Sequence, residues 1–154
     1  MSERSEDETT QERSRRQLME LLQELRVALP GVQVLFGFLL VVPFSARWDR
    51  VTSFQEDLYF ACLLCSAAAT AFLIAPSAIH RLDFERGDKP RIVRISNVLA
   101  IVGLTFLALA VIGVVLLITD VLYGGAAVVA YTTVTAAMFL VLWYTIPLFL
   151  RLRR

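Results

Sequence analysis

Four long apolar stretches, each closed at both ends by charged or turn-forming residues, set the pattern of this chain. The first is the cleanest. Between Arg26 and Arg47 lie 20 residues without an ionisable side chain, about what a helix rising 1.5 Å per residue needs to cross a hydrocarbon layer roughly 30 Å thick. The pattern predicts spans at about 27–46, 58–79, 95–119 and 126–150. The fold class expected is all-α, a polytopic membrane protein of four transmembrane helices. Pro30 is placed in the first turn of the first span, where a missing N–H is harmless, and Pro43 near its exit. Ser53 and Glu56 have the spacing of a capping box for the second helix, Pro76 is expected to kink it, and Gly87 to stop it after a continuation toward Glu85. Asp88, Lys89 and Pro90 open the third helix, and Tyr123, Gly124 and Gly125 leave room only for a tight turn into the fourth. Helices three and four should form an antiparallel hairpin.

Ahead of the first span the pattern is different. Residues 1–17 are rich in charge, Ser, Thr and Gln, with no apolar side chain after Met1, and predict a disordered cytoplasmic tail. Residues 18–26 predict a short amphipathic helix, cytoplasmic or interfacial. Leu18, Leu22, Leu25 and Leu29 fall four, three and four apart, the spacing of a coiled-coil seam. Two readings stay open: a seam that joins copies of the chain, or an amphipathic helix lying on the membrane surface.

Composition supports the membrane class and excludes others. The chain is 57% hydrophobic and 19% charged, with mean hydropathy +0.65, against about 45–50% apolar for soluble domains. A net charge of +1 spread over tail and loops forms no nucleic-acid-binding patch. About 26 mostly polar residues precede the first apolar run, so no secretory signal peptide is expected. Where the basic residues fall is informative. Thirteen of the 15 Lys and Arg lie in the N-terminal segment, the loop around 80–94 and the C-terminus, and only Arg47 and Arg50 lie in the first loop. Positive loops stay inside. The expected topology is therefore multi-pass in the plasma (inner) membrane with both termini cytoplasmic. Trp143 and Tyr144 would form the aromatic belt on that side, and Trp48, Tyr59 and Tyr123 the opposite one.

Candidate chemistry is sparse. No Ser-His-acid set, metal-ligand cluster or phosphate-cradling glycine loop is present, so no enzyme activity, no cofactor and no metal are expected. Cys62 and Cys65 form a C-x-x-C, read as small packing residues on an apolar helix. Ala61, Cys65 and Ala69, and Ala126, Ala130, Thr133 and Ala137, make small-residue stripes that favour close helix approach. Each span contributes a polar group toward the cytoplasmic side: Gln33, Ser77 with His80, Asn97, and Tyr144 with Thr145. This layer is a structural hydrogen-bond network or a gate, and Arg81, Arg91 and Arg94 would add headgroup contacts. At the other end Arg47, Arg50, Asp57 and Asp120 are solvated or paired charges.

Three strings, E-L-R-V-A-L-P-G-V-Q-V-L-F-G-F-L-L-V-V-P-F, L-I-A-P-S-A-I-H-R-L-D-F and W-Y-T-I-P-L, resemble a bacterial, mainly actinobacterial family of four-span proteins of unknown function, over about residues 21–154. Its members are sometimes called sodium:proton antiporters. Competitive binding of Na⁺ and H⁺ needs an ionisable group near the midplane. None of these spans has one centrally. The functional expectation is a homo-oligomeric channel- or transporter-like protein for ions or small solutes. The alternative is a non-catalytic scaffold or accessory subunit that presents its cytoplasmic helix to a protein partner. The bilayer is the partner common to both.

Overall fold

The first helix, α1, occupies Ser2–Val41 without a break, 40 residues in all. The computed structural model describes residues 2–45, 48–82 and 89–153. After α1 come two short 3-10 turns, Val42–Phe44 and Trp48–Arg50, then α2 at Ser53–Leu82, α3 at Lys89–Leu122, α4 at Gly125–Leu140 and α5 at Ile146–Leu152. Among the described residues there is no strand. Four stretches are long and apolar enough to cross a membrane, Arg16–Phe44, Ser53–Arg81, Arg91–Leu122 and Gly125–Leu150. The protein is an all-α, multi-pass membrane protein.

Helix α1 departs from the sequence expectation in two ways. A disordered tail and a separate amphipathic helix are expected, yet the helix begins at Ser2 and passes through Pro30. Residues 2–29 contain neither Gly nor Pro. Extending an existing helix adds one hydrogen bond per residue and avoids the nucleation cost. Arg16 and Glu20 form an exposed i,i+4 pair at 4.0 Å, worth about 0.3–0.5 kcal/mol. Pro30 is exposed and lies inside the helix rather than in its first turn. The carbonyl it leaves without a donor belongs to Arg26, at the charged end of the span, where water can reach it.

One face of α1 is buried at Leu18, Leu25, Val32 and Leu39, every seventh residue. A strict heptad of this kind keeps one side of a helix against its neighbours. Helix α2 buries Tyr59, Cys62, Ser66, Ala69, Leu73 and Pro76, alternating steps of three and four. The expected stripe Ala61, Cys65 and Ala69 is thus displaced: Ala61 is exposed and Cys65 only half-buried.

Contacts divide the chain into two units. In the first, Met1–Phe38 with Ser66–Phe106, α2 and α3 approach so closely that a Cβ added to Gly103 would lie 2.8 Å from Leu73 Cγ. Phe72 and Phe106 stack with ring centres 5.6 Å apart. In the second, Leu39–Cys65 with Leu107–Arg154, a Cβ on Gly113 would lie 2.5 Å from Cys62 Sγ. The large side chains turn outward: Phe38, Leu64 and Val129 are each about two-thirds exposed or more. Lipid does not penalise that exposure, so small residues, which admit close backbones, take the inside.

The expected tight turn after α3 is present, with Gly124 and Gly125 at φ 66° and 59°, the left-handed region that glycine enters without strain. No residue of α4 is buried. The fourth span is also interrupted by a π turn at Val141–Thr145. Pro147, in the first turn of α5, has no N–H for the carbonyl of Trp143, and the helix widens by one residue there. The Thr145 hydroxyl donates to Leu140 O, five residues back, at 3.1 Å.

Candidate functional site

The second unit contains the best-defined polar site, where α1 turns into α2. Pro43 cannot donate to the carbonyl of Leu39, four residues before it, so a buried acceptor loses its helical partner. Tyr59 supplies the missing donor. Its hydroxyl donates to Leu39 O at 2.9 Å, and the residue is 1% exposed. Trp48 meets the Tyr59 ring edge-on at 5.0 Å. Tyr59 was expected in an exposed interfacial belt, as Tyr123 is. The signal that places it inside is a proline four residues beyond a carbonyl that lies in the apolar region.

The cap of α2 is displaced by one residue from the expected Ser53 and Glu56. The Thr52 N–H donates to Gln55 Oε1 at 3.1 Å, and the Gln55 N–H donates to Thr52 Oγ1 at 3.3 Å. That is a reciprocal capping box on Thr52, and Thr52 O accepts the first helical bond from the Glu56 N–H at 2.9 Å. Gln55 also uses the other end of its amide: Nε2 donates to Asp120 Oδ2 at 2.8 Å. Asp120 lies in the last turn of α3, where the helix dipole disfavours a negative charge, so this donor offsets an unfavourable position. Beside these groups is a cavity of about 130 Å³, almost wholly apolar, lined by Val42, Ser45, Trp48, Val51, Gln55, Tyr59, Leu117 and Val121. It has room for a few methylene groups. Of the polar side chains around it, Gln55 and Tyr59 tie helices together, an arrangement that stabilises structure.

The other candidate residues divide between the two units. Gln33, Ser77 and Asn97 belong to the first unit and are exposed, with Arg81, Arg91 and Arg94 exposed and His80 half-buried. Tyr144 and Thr145 belong to the second unit, and the Thr145 hydroxyl is taken by its own helix. Leu18 and Leu25 are buried within the single chain, while Leu22 and Leu29 are half-buried. Half of the leucine seam is therefore already covered without a second copy. Arg50 and Asp57 are exposed, and Arg47 lies outside the described residues. Both cysteines are free, with Cys62 buried and Cys65 half-buried. Among the described residues no three His, Cys, Asp or Glu side chains come together.

Residues 7–147 match a family of unknown function, DUF6328. The chain belongs to that family. The resemblance read from residues 24–44, 73–84 and 143–148 is thereby confirmed as to family. Comparison of this DUF6328 chain with curated proteins and with solved structures gave no match.

Proposed function

We propose that the protein is a non-catalytic membrane scaffold or accessory subunit of the plasma (inner) membrane, with both termini cytoplasmic. It presents the extramembrane part of α1 to a cytoplasmic protein. The observation behind this reading is the length of α1. Its 40 residues extend about 60 Å, twice the roughly 30 Å hydrocarbon thickness. A rod of helix therefore continues from the first span well past the membrane surface. Its exposed side bears Arg16, Glu20, Glu24 and Arg26, a mixed-charge surface suited to a polar protein partner. The distribution of Lys and Arg supports a cytoplasmic position for that rod. Proximity labelling in cells tests the reading, with an enzyme fused to the N-terminus of the wild type and of a variant lacking residues 2–17. A cytoplasmic protein labelled by the first and lost with the second is the expected result.

A second reading makes the chain a subunit of a homo-oligomeric channel- or transporter-like protein for ions or small solutes. The outward placement of Gln33, Ser77 and Asn97 favours it, since a path between copies would use such groups. Flux above that of empty liposomes under Na⁺, K⁺, H⁺ or Cl⁻ gradients would replace the scaffold by this reading.

A further inference from the structure

Gln33 is one of several polar side chains on exposed faces of the spans. Gln33 follows Arg26 by seven residues, so it lies about 10 Å along the helix axis into the apolar run. Its side chain is exposed, and its carboxamide has no hydrogen-bond partner among the described residues. Two N–H donors and one carbonyl acceptor thus face hydrocarbon, which membrane helices avoid. Lys and Arg escape such positions by extending to the interface on long stems. A glutamine stem is too short.

The neighbouring surface is open. Gly37, one turn further along, is exposed, and a Cβ added there would meet nothing within 4 Å. Pro30, Gln33 and Gly37 fall at i, i+3 and i+7, on one side of α1 and away from the Leu18, Leu25, Val32 and Leu39 seam. We propose that this face pairs with the same face of a second copy in a parallel dimer. The two Gln33 carboxamides hydrogen-bond across the two-fold axis, and the backbones close together at Gly37.

Three features select a second copy over another partner. A carboxamide carries donor and acceptor together, so it is complementary to itself, as a two-fold interface requires. A copy inserted the same way round brings its own Gln33 to the same depth. Gly37 removes the side chain that would hold the two backbones apart. The inference rests on the single orientation proposed from the Lys and Arg distribution. Reporter fusions at Gly124 and at the C-terminus test that orientation separately from association.

The test is energy transfer between donor- and acceptor-labelled full-length protein in liposomes over a range of protein-to-lipid ratios. Wild type should associate, and Gln33→Leu should weaken association roughly tenfold, within the range for a membrane hydrogen-bond pair. Gln33→Asn, which keeps an amide, should retain most of it. Gly37→Ile should weaken association at least as much as Gln33→Leu. Gly31→Ile should change nothing, because Gly31 is equally open but about 120° round the helix from Gly37. Wild type that stays monomeric at every density overturns the proposal. So does association unchanged by both Gln33→Leu and Gly37→Ile, which would assign the contact to another surface such as the Ala126 and Ala130 face of α4.

Discussion

Helices α2 and α3 are matched by shape, while α4 is no less apolar and buries nothing. In the α2–α3 pairing Leu73 fills the notch at Gly103 and Cys62 the notch at Gly113. Along α4, Ala126, Ala130, Thr133 and Ala137 all remain exposed. In water such a helix would be driven inward by its apolar surface. In lipid the surrounding chains are as apolar as leucine, so only close packing and hydrogen bonds distinguish one helix face from another. The contrast shows that hydropathy decides which segments enter the membrane and the size of side chains decides which faces meet.

The sharpest way to break this contrast is to fill a glycine notch. Gly113→Leu or Gly103→Leu should cost about 3 kcal/mol, since each forces a side chain into an occupied position, and the loss is measurable by unfolding in denaturing detergent. Ala130→Leu on α4 should change monomer stability by no more than about 0.5 kcal/mol. If it costs as much as the glycine variants, α4 is packed and the contrast is false.

The turn from α1 to α2 gives the next largest effect. Tyr59→Phe leaves the Leu39 carbonyl without a donor and should cost about 1.5 kcal/mol. Pro43→Ala restores a backbone N–H for that carbonyl, so in its background the cost of Tyr59→Phe should fall to about 0.5 kcal/mol. An unchanged cost in this double-mutant cycle would show that the hydroxyl does not substitute for the missing helical bond.

Gln55→Leu removes both the cap on Thr52 and the bond to Asp120, and should cost about 1 kcal/mol. Asp57→Asn, at an exposed position of the same helix start, should be close to neutral. Equal losses would shift the importance from the inter-helix tie to the helix dipole. The smallest effect belongs to the π turn. Thr145→Val removes one hydroxyl bond within the helix and should cost about 0.6 kcal/mol, near the average for membrane side-chain hydrogen bonds.

Several of these features were close to legible in the sequence. Ser53 with Glu56 has the spacing of a capping box, but Thr52 and Gln55 have the same spacing one residue earlier, and only the hydrogen bonds choose between them. The turn at Gly124 and Gly125 was legible because few other residues adopt positive φ. Pro147 stood in plain view, and its missing N–H called for a local widening. An aromatic ring near a span end usually marks the interface, whereas at Tyr59 a proline-orphaned carbonyl lies within reach of the hydroxyl.

By itself the sequence determined that the chain is all-α and carries four segments long and apolar enough to cross a membrane, because long apolar runs and their breakers act locally and need no knowledge of neighbours. Tertiary structure alone decided which side of each helix is interior. Gln33 faces out, Tyr59 and Ser66 face in, and Leu18 and Leu25 are covered by their own chain. The physical reason is that a membrane removes the hydrophobic distinction between inside and outside. Which faces meet then depends on steric fit and single hydrogen bonds between residues far apart in the chain.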